Sequence, residues 1–216
     1  MTAQAIDTIA GIAIPDTALV REATEFIRDA ENDLLFDHSR RVYLFGALQG
    51  QRRGLRPDLE LLYVGAMFHD LGLSERYRTS MLRFEVDGAN AARDFLLARG
   101  VDEADARKVW LAIALHTTPG VTEFLDPEIA LVTAGVETDV VGIARDDLSS
   151  DALAAVTAAH PRPDFKRRIL QAFTDGMKHR PHTTFGTMNA DVLERYDPSF
   201  VRDNMVETIL NNSWPE

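Results

Sequence analysis

The chain has 216 residues, 45% of them hydrophobic, no cysteine, and a formal net charge of −11 at pH 7. This length accommodates one sizeable core, and the lack of cysteine excludes disulfides and thiolate metal sites and fits a reducing, cytoplasmic setting. The acidic balance disfavours a nucleic-acid partner, no apolar run approaches the roughly 20 residues of a membrane span, and no glycine-rich phosphate loop of the GxxxxGK[ST] or GxGxxG kind is present.

Residues 1–15 show neither a basic leader nor a convincing apolar stretch and are expected to be a loosely ordered lead-in to one helical domain over 16–216. Asp16 resembles an N-cap, and the helix behind it runs through ALVREATEFIRDAEN. Three helices are expected around 36–50, 58–71 and 87–99, the last capped by Asp87, with the irregular stretch 73–86 forming a pocket wall. Further helices fall at about 102–116, 126–144 and 163–178, and HRPHTTFGTMNADVLERYDP reads as a loop leading into short helices. Strand-like alternation is nearly absent, so the fold class is all-α.

Polar groups interrupt the apolar faces of these helices. His38 begins the face continued by Val42, Phe45 and Leu48; His69 extends Leu62, Gly65 and Ala66, with Asp70 beside it and Gly72 just beyond. His116 follows Val109, Ala112 and Ile113, and Asp139 shares a face with Val132, Val136 and Ile143. Singly, such a histidine reads as a hydrogen-bonded core residue and such an aspartate as a cap or ion-pair partner. Collectively they call for a common cause, since an ionisable group on a core face is costly unless paired or metal-bound. One metal ion gathering most of them would supply it.

The ordered set His38, His69-Asp70, Asp139 resembles the HD-domain superfamily of metal-dependent hydrolases. The longer strings FDHSRRVYLFG, MFHDLGL, RFEVDGANAARDFL, LHTTPG and ALVTAGVETDVVG are similar to its cyanamide hydratase-like branch, over roughly residues 20–200. The resemblance implies a helical bundle with a metal site at its centre and His38, His69, Asp70 and Asp139 as ligands. Two-metal members carry a further histidine before a Gly-Ala pair; Phe84 stands there in this chain, and His116 is the one histidine left between Asp70 and Asp139. One divalent ion is therefore expected. Two imidazoles and two carboxylates suit zinc, with iron or manganese as alternatives, and the branch tilts the choice to zinc. Such an ion lowers the pKa of bound water to about 7 and polarises a nitrile nitrogen or phosphoryl oxygen.

By the same resemblance His116 and Asp70 form the catalytic group, His116 as proton shuttle or else as a structural histidine outside the ligand shell. Glu85 would orient an amine of the substrate, with Thr117 and Arg83 as further contacts. Arg41 is read as a structural ion-pair partner, His160, His179 and His182 as surface residues, and Arg162 to Arg168 as a solvated basic face. The first functional expectation is a hydratase adding water to a small nitrile-like substrate, with cyanamide to urea as the reference reaction. The alternatives are a phosphohydrolase acting on a nucleotide or other phosphate monoester, and a non-catalytic, metal-stabilised ligand-binding domain. The expected partner is a small-molecule substrate, with no nucleic acid or membrane; a homo-oligomer is compatible with the sequence.

Overall fold

The computed structural model describes residues 8–214, which hold ten α-helices and one two-stranded hairpin. Strands β1 (Thr8–Ile9) and β2 (Ile12–Ala13) pair antiparallel. Residues 8–13 thus differ from the loose lead-in expected of them: Ile12 is buried, and the Tyr43 hydroxyl donates to the Ala13 carbonyl at 2.6 Å. Residues 1–7 lie outside the described residues.

Helix α1 (Ala18–Ala30) is capped by Thr17, whose Oγ1 accepts from the Val20 amide at 3.3 Å; Asp16 instead pairs with Arg21. Its buried residues Val20, Ala23 and Ile27 lie on one face. Helix α2 (Asp33–Arg53) starts earlier than its apolar face suggested, because Asn32 caps it through the Leu35 amide. Asp58 caps α3 (Leu59–Phe68), which is buried from Leu61 to Phe68. Then come α4 (Phe84–Leu97), α5 (Glu103–Ala114) and α6 (Pro127–Val136). Asp87 is not the cap of α4. It lies inside the first turn, and its carboxylate accepts from Ser80 Oγ at 2.8 Å and pairs with the buried Arg180.

The stretch expected to be one helix over 126–144 is broken. A π turn over Glu137–Val141 follows α6, closed by the Gly142 amide bonding to the Glu137 carbonyl at 2.8 Å. A π turn holds more residues than an α turn, so it shifts the face on which later side chains emerge. Beyond it lie α7 (Ser150–Ala159), α8 (Phe165–Met177), α9 (Ala190–Tyr196) and α10 (Met205–Leu210). Helix α7 escaped the periodicity argument because its sequence is alanine-rich and buries only Val156 fully. Among the described residues no helix is long and apolar enough to cross a membrane.

Two close backbone approaches position the site. A Cβ on Gly135 would lie 2.1 Å from the Val42 carbonyl oxygen, so α6 rests directly on the backbone of α2. A Cβ on Gly72 would lie 2.0 Å from the Phe84 carbonyl oxygen, which presses the segment after Asp70 against the start of α4. The main apolar cluster draws on α1 to α6. A second cluster, including Leu34, Leu73, Phe84, Phe165 and Ile169, forms on α8. The polar centre lies between them: the His38 ring is 5.3 Å from that of Phe165, and the His116 ring 5.6 Å from that of Phe84.

Candidate metal centre

Helix α2 supplies His38, the end of α3 supplies His69 and Asp70, and the turn after α5 supplies His116; all four are at most 3% exposed. The ring orientations follow from what each Nδ1 touches. His69 Nδ1 is 2.7 Å from the Ala66 carbonyl, His116 Nδ1 2.7 Å from the Ile113 carbonyl, and His38 Nδ1 2.7 Å from Asp139 Oδ2. Carbonyls and carboxylates only accept, so each Nδ1 carries the proton and donates it. Each Nε2 then presents a lone pair inward, the arrangement that suits metal ligation.

These lone pairs converge. His38 Nε2 and His69 Nε2 are 3.2 Å apart, and Asp70 Oδ2 lies 3.6 Å from the first and 3.3 Å from the second. Asp70 Oδ1 lies 3.6 Å from His116 Nε2. Both Asp70 oxygens are buried with no hydrogen-bond partner. A buried cluster of acceptors without a donor is unfavourable unless a cation or proton occupies it. His38, His69 and Asp70 together satisfy the geometry of a metal-holding group, so the donor set fits one divalent ion of the zinc, iron or manganese kind.

The charges fit the same reading. Burial pushes the Asp70 carboxyl up, but the imidazoles of His69, His38 and His116 outweigh it and hold the group well below the usual carboxylate range. Burial pulls His69 down, and adjacent Asp70 more than reverses this, leaving its pKa raised. Burial dominates for the other two: it lowers His38 against the pull of Asp139 and brings His116 to about 4. Metal uptake would compete with protons for these imidazoles.

Asp139 is not brought into this group. Its carboxylate sits against the Nδ1 edge of His38, away from the converging Nε2 atoms. Arg41 grips it with two bonds of 2.9 Å, and Arg162 Nε adds a contact at 3.0 Å. Arg41 is the structural ion-pair partner expected of it, with its guanidinium also donating to the His160 and Pro161 carbonyls. Arg162 departs from the solvated face assigned to it, and His160 from the surface: its ring is only partly exposed and bonds Asp37 at 3.1 Å. A cavity of about 500 Å³ borders Asp139, Thr138, Arg145 and Arg162 but none of the three inner histidines.

Beside His116 lies a second network. Glu85 Oε1 accepts from Thr117 Oγ1 at 2.5 Å, Arg83 Nη2 at 2.7 Å and Asn189 Nδ2 at 2.9 Å. Sequence reasoning named Glu85, Thr117 and Arg83 but missed Asn189, which is 104 residues from Glu85 and carries no local signal. Burial raises the Glu85 carboxyl, yet Arg83, His116 and Thr117 outweigh that and leave it lowered. It is held ionised next to a neutral imidazole.

Glu31 was missed as well. It follows α1, is 8% exposed, and neither carboxylate oxygen has a partner. Burial, then the charge of Asp70, raises its pKa well above the ordinary carboxylate value. The folded pKa exceeds the unfolded one, so the residue is harmless below about pH 4.3, its unfolded value, and destabilises the fold as pH rises toward the folded value. Metal-free Glu31→Gln is therefore expected to melt higher than the parent at pH 8, with the gap closing near pH 4. Equal melting temperatures at pH 8 would contradict the assignment.

An all-α bundle enclosing a His-His-Asp cluster that could hold a metal ion is the architecture of a helical metal-binding domain. The family model described as HD domain matches residues 35–160, and the chain belongs to that family, whose members are generally metal-dependent hydrolases. No curated protein matches the chain in sequence.

Proposed function

We propose that this chain is a metal-dependent hydratase acting on a small, neutral, nitrile-like substrate, with cyanamide to urea as the reference reaction. The observation that carries the reading is that the arginines packed against the centre's carboxylates are all engaged in ion pairs. Arg41 and Arg162 share Asp139, Arg83 pairs with Glu85 and Arg180 with Asp87. Phosphoryl transfer relies on cationic clamps free to meet the phosphoryl oxygens, whereas an uncharged substrate needs none.

A divalent ion bound by His38, His69 and Asp70 would supply Lewis acidity and an acidified water at neutral pH. The chain's own residues do the rest. To turn cyanamide into urea, water adds across the C≡N bond: its oxygen bonds to carbon as one C–N π bond breaks, one proton passes from that oxygen to the nitrogen to give isourea, and the remaining O–H proton follows to the same nitrogen as the C=O bond forms. His116 is neutral, its Nδ1–H is committed to Ile113, and its Nε2 lone pair faces Asp70, so Nε2 is the atom that takes and returns the proton. Glu85, fixed by Arg83, Thr117 and Asn189, stabilises the imidazolium that forms and can accept from the substrate's amino group.

The test is a side-by-side assay of urea formation from cyanamide, hydration of small nitriles, and phosphate release from nucleoside monophosphates. Hydration is expected, and His116→Ala should keep its metal while kcat falls by about 10²–10⁴-fold. Phosphate release without turnover of cyanamide or any nitrile would reverse the reading in favour of a phosphohydrolase.

A further inference from the structure

We infer that this chain pairs with a second copy of itself through its C-terminal arm, residues 198–214, each arm lying on the groove at the foot of the other copy's arm. Arg202 fixes where the arm leaves the body: its guanidinium donates to Asp191 at 2.7 Å and to Glu194 at 2.8 Å, both on α9. Beyond it Asn204 caps α10 by accepting from the Val206 and Glu207 amides. The helix is amphipathic, with Met205, Val206, Ile209 and Leu210 on one face and Glu207, Thr208 and Asn211 on the other. That apolar face meets solvent: no residue of α10 is buried, and its four apolar side chains are 56% to 70% exposed. Val201 before the helix is 83% exposed and Trp214 after it 86%.

Such a helix needs a cover. Isolated helices shorter than about 12–15 residues are marginal in water, and α10 has six. A cleft of about 400 Å³ lies at the foot of the arm, with Phe185, Met188, Phe200 and Met205 in its lining. Phe185 and Met188 are nearly half exposed, and Met205 joins them to the arm as one patch. The exposed apolar residues of arm and groove present on the order of 1,000 Å², above the about 300–600 Å² of a monomer's largest patch and enough for the about 800 Å² that each partner gives to a stable interface. A second copy fits because it supplies both halves: a two-fold axis sets each arm on the other's groove in one self-complementary contact. A lipid surface fits less well. Helices that lie in a membrane interface carry Lys or Arg on the polar face, and residues 203–214 contain neither, their charged groups being Asp203 and Glu207.

The test is the mass of the full chain by sedimentation equilibrium over a concentration series. Interfaces of this size dissociate at micromolar concentrations or below, so the parent is expected at twice the chain mass at tens of micromolar. The double variant Ile209→Asp, Leu210→Asp should be monomeric while keeping the bulk of its helical circular dichroism, because both side chains are exposed in the single copy. Met188→Asp in the groove should dissociate the pair in the same way, and Glu207→Gln on the polar face should leave it intact. A monomeric parent would overturn the inference, as would a dimer that survives either the arm or the groove variant. A monomeric parent that co-sediments with neutral phosphatidylcholine vesicles, and loses this with the arm variant, would assign the patch to a lipid surface and overturn it too.

Discussion

Asp70→Asn is expected to eliminate both metal binding and turnover. Among the described residues Asp70 is the carboxylate whose two oxygens face the convergent imidazoles, and its charge raises His69 and draws a cation to the two Nε2 lone pairs 3.2 Å apart. An amide at this position brings no charge and presents N–H groups to part of the cluster. The loss should exceed the about 10- to 100-fold effect of an outer partner, leaving activity at background under conditions that saturate the parent. Elemental analysis of the folded variant and its turnover are the measurements; full metal content would remove Asp70 from the centre.

The second large effect lies in the scaffold. Gly135→Ala should destabilise the protein by about 3 kcal/mol, the upper end of ordinary overpacking. The new Cβ would stand 2.1 Å from the Val42 carbonyl oxygen, 2.9 Å from its carbon and 3.1 Å from the Gly46 amide. All three are backbone atoms of α2, so no rotamer change relieves the clash and the two helices must separate. A chain of this length loses about 2–4 °C per kcal/mol, so thermal denaturation should show Tm lower by roughly 10 °C. Because α2 carries His38 and α6 leads to Asp139, metal affinity should weaken in the same variant. An unchanged Tm would mean that α2 and α6 do not pack as described.

The inner part of the centre was legible because helical geometry is local. His38, His69 and His116 each extend an apolar stripe, and an ionisable group there must turn into the core. Asp139 was legible as buried, but its contacts with His38 Nδ1 and Arg41 were not. A continuous helix through 126–144 would have aligned it with Val132 and Val136, and the π turn over Glu137–Val141 breaks that register. Nothing in the residue pattern announces a π turn. Asp87 illustrates the reverse error: an acidic residue near a helix start has the composition of a cap, but its real partner, Arg180, is 93 residues away. Arg180 itself also donates to the Gly72 and Gly176 carbonyls, tying α8 to the segment behind Asp70. Such links exist only after folding, as do Asn189 on Glu85 and the unpartnered carboxylate of Glu31. The all-α class was readable throughout, since it depends on the 3.6-residue period rather than on partners.

The central claim is that one divalent cation is held where His38, His69 and Asp70 converge. The most direct measurement is anomalous diffraction, at the zinc absorption edge, from crystals of the zinc-loaded protein. The account predicts one strong peak per chain, about 2.0–2.2 Å from His38 Nε2, His69 Nε2 and an Asp70 oxygen. A peak elsewhere, a second peak of equal strength beside His116, or no peak at all would contradict it.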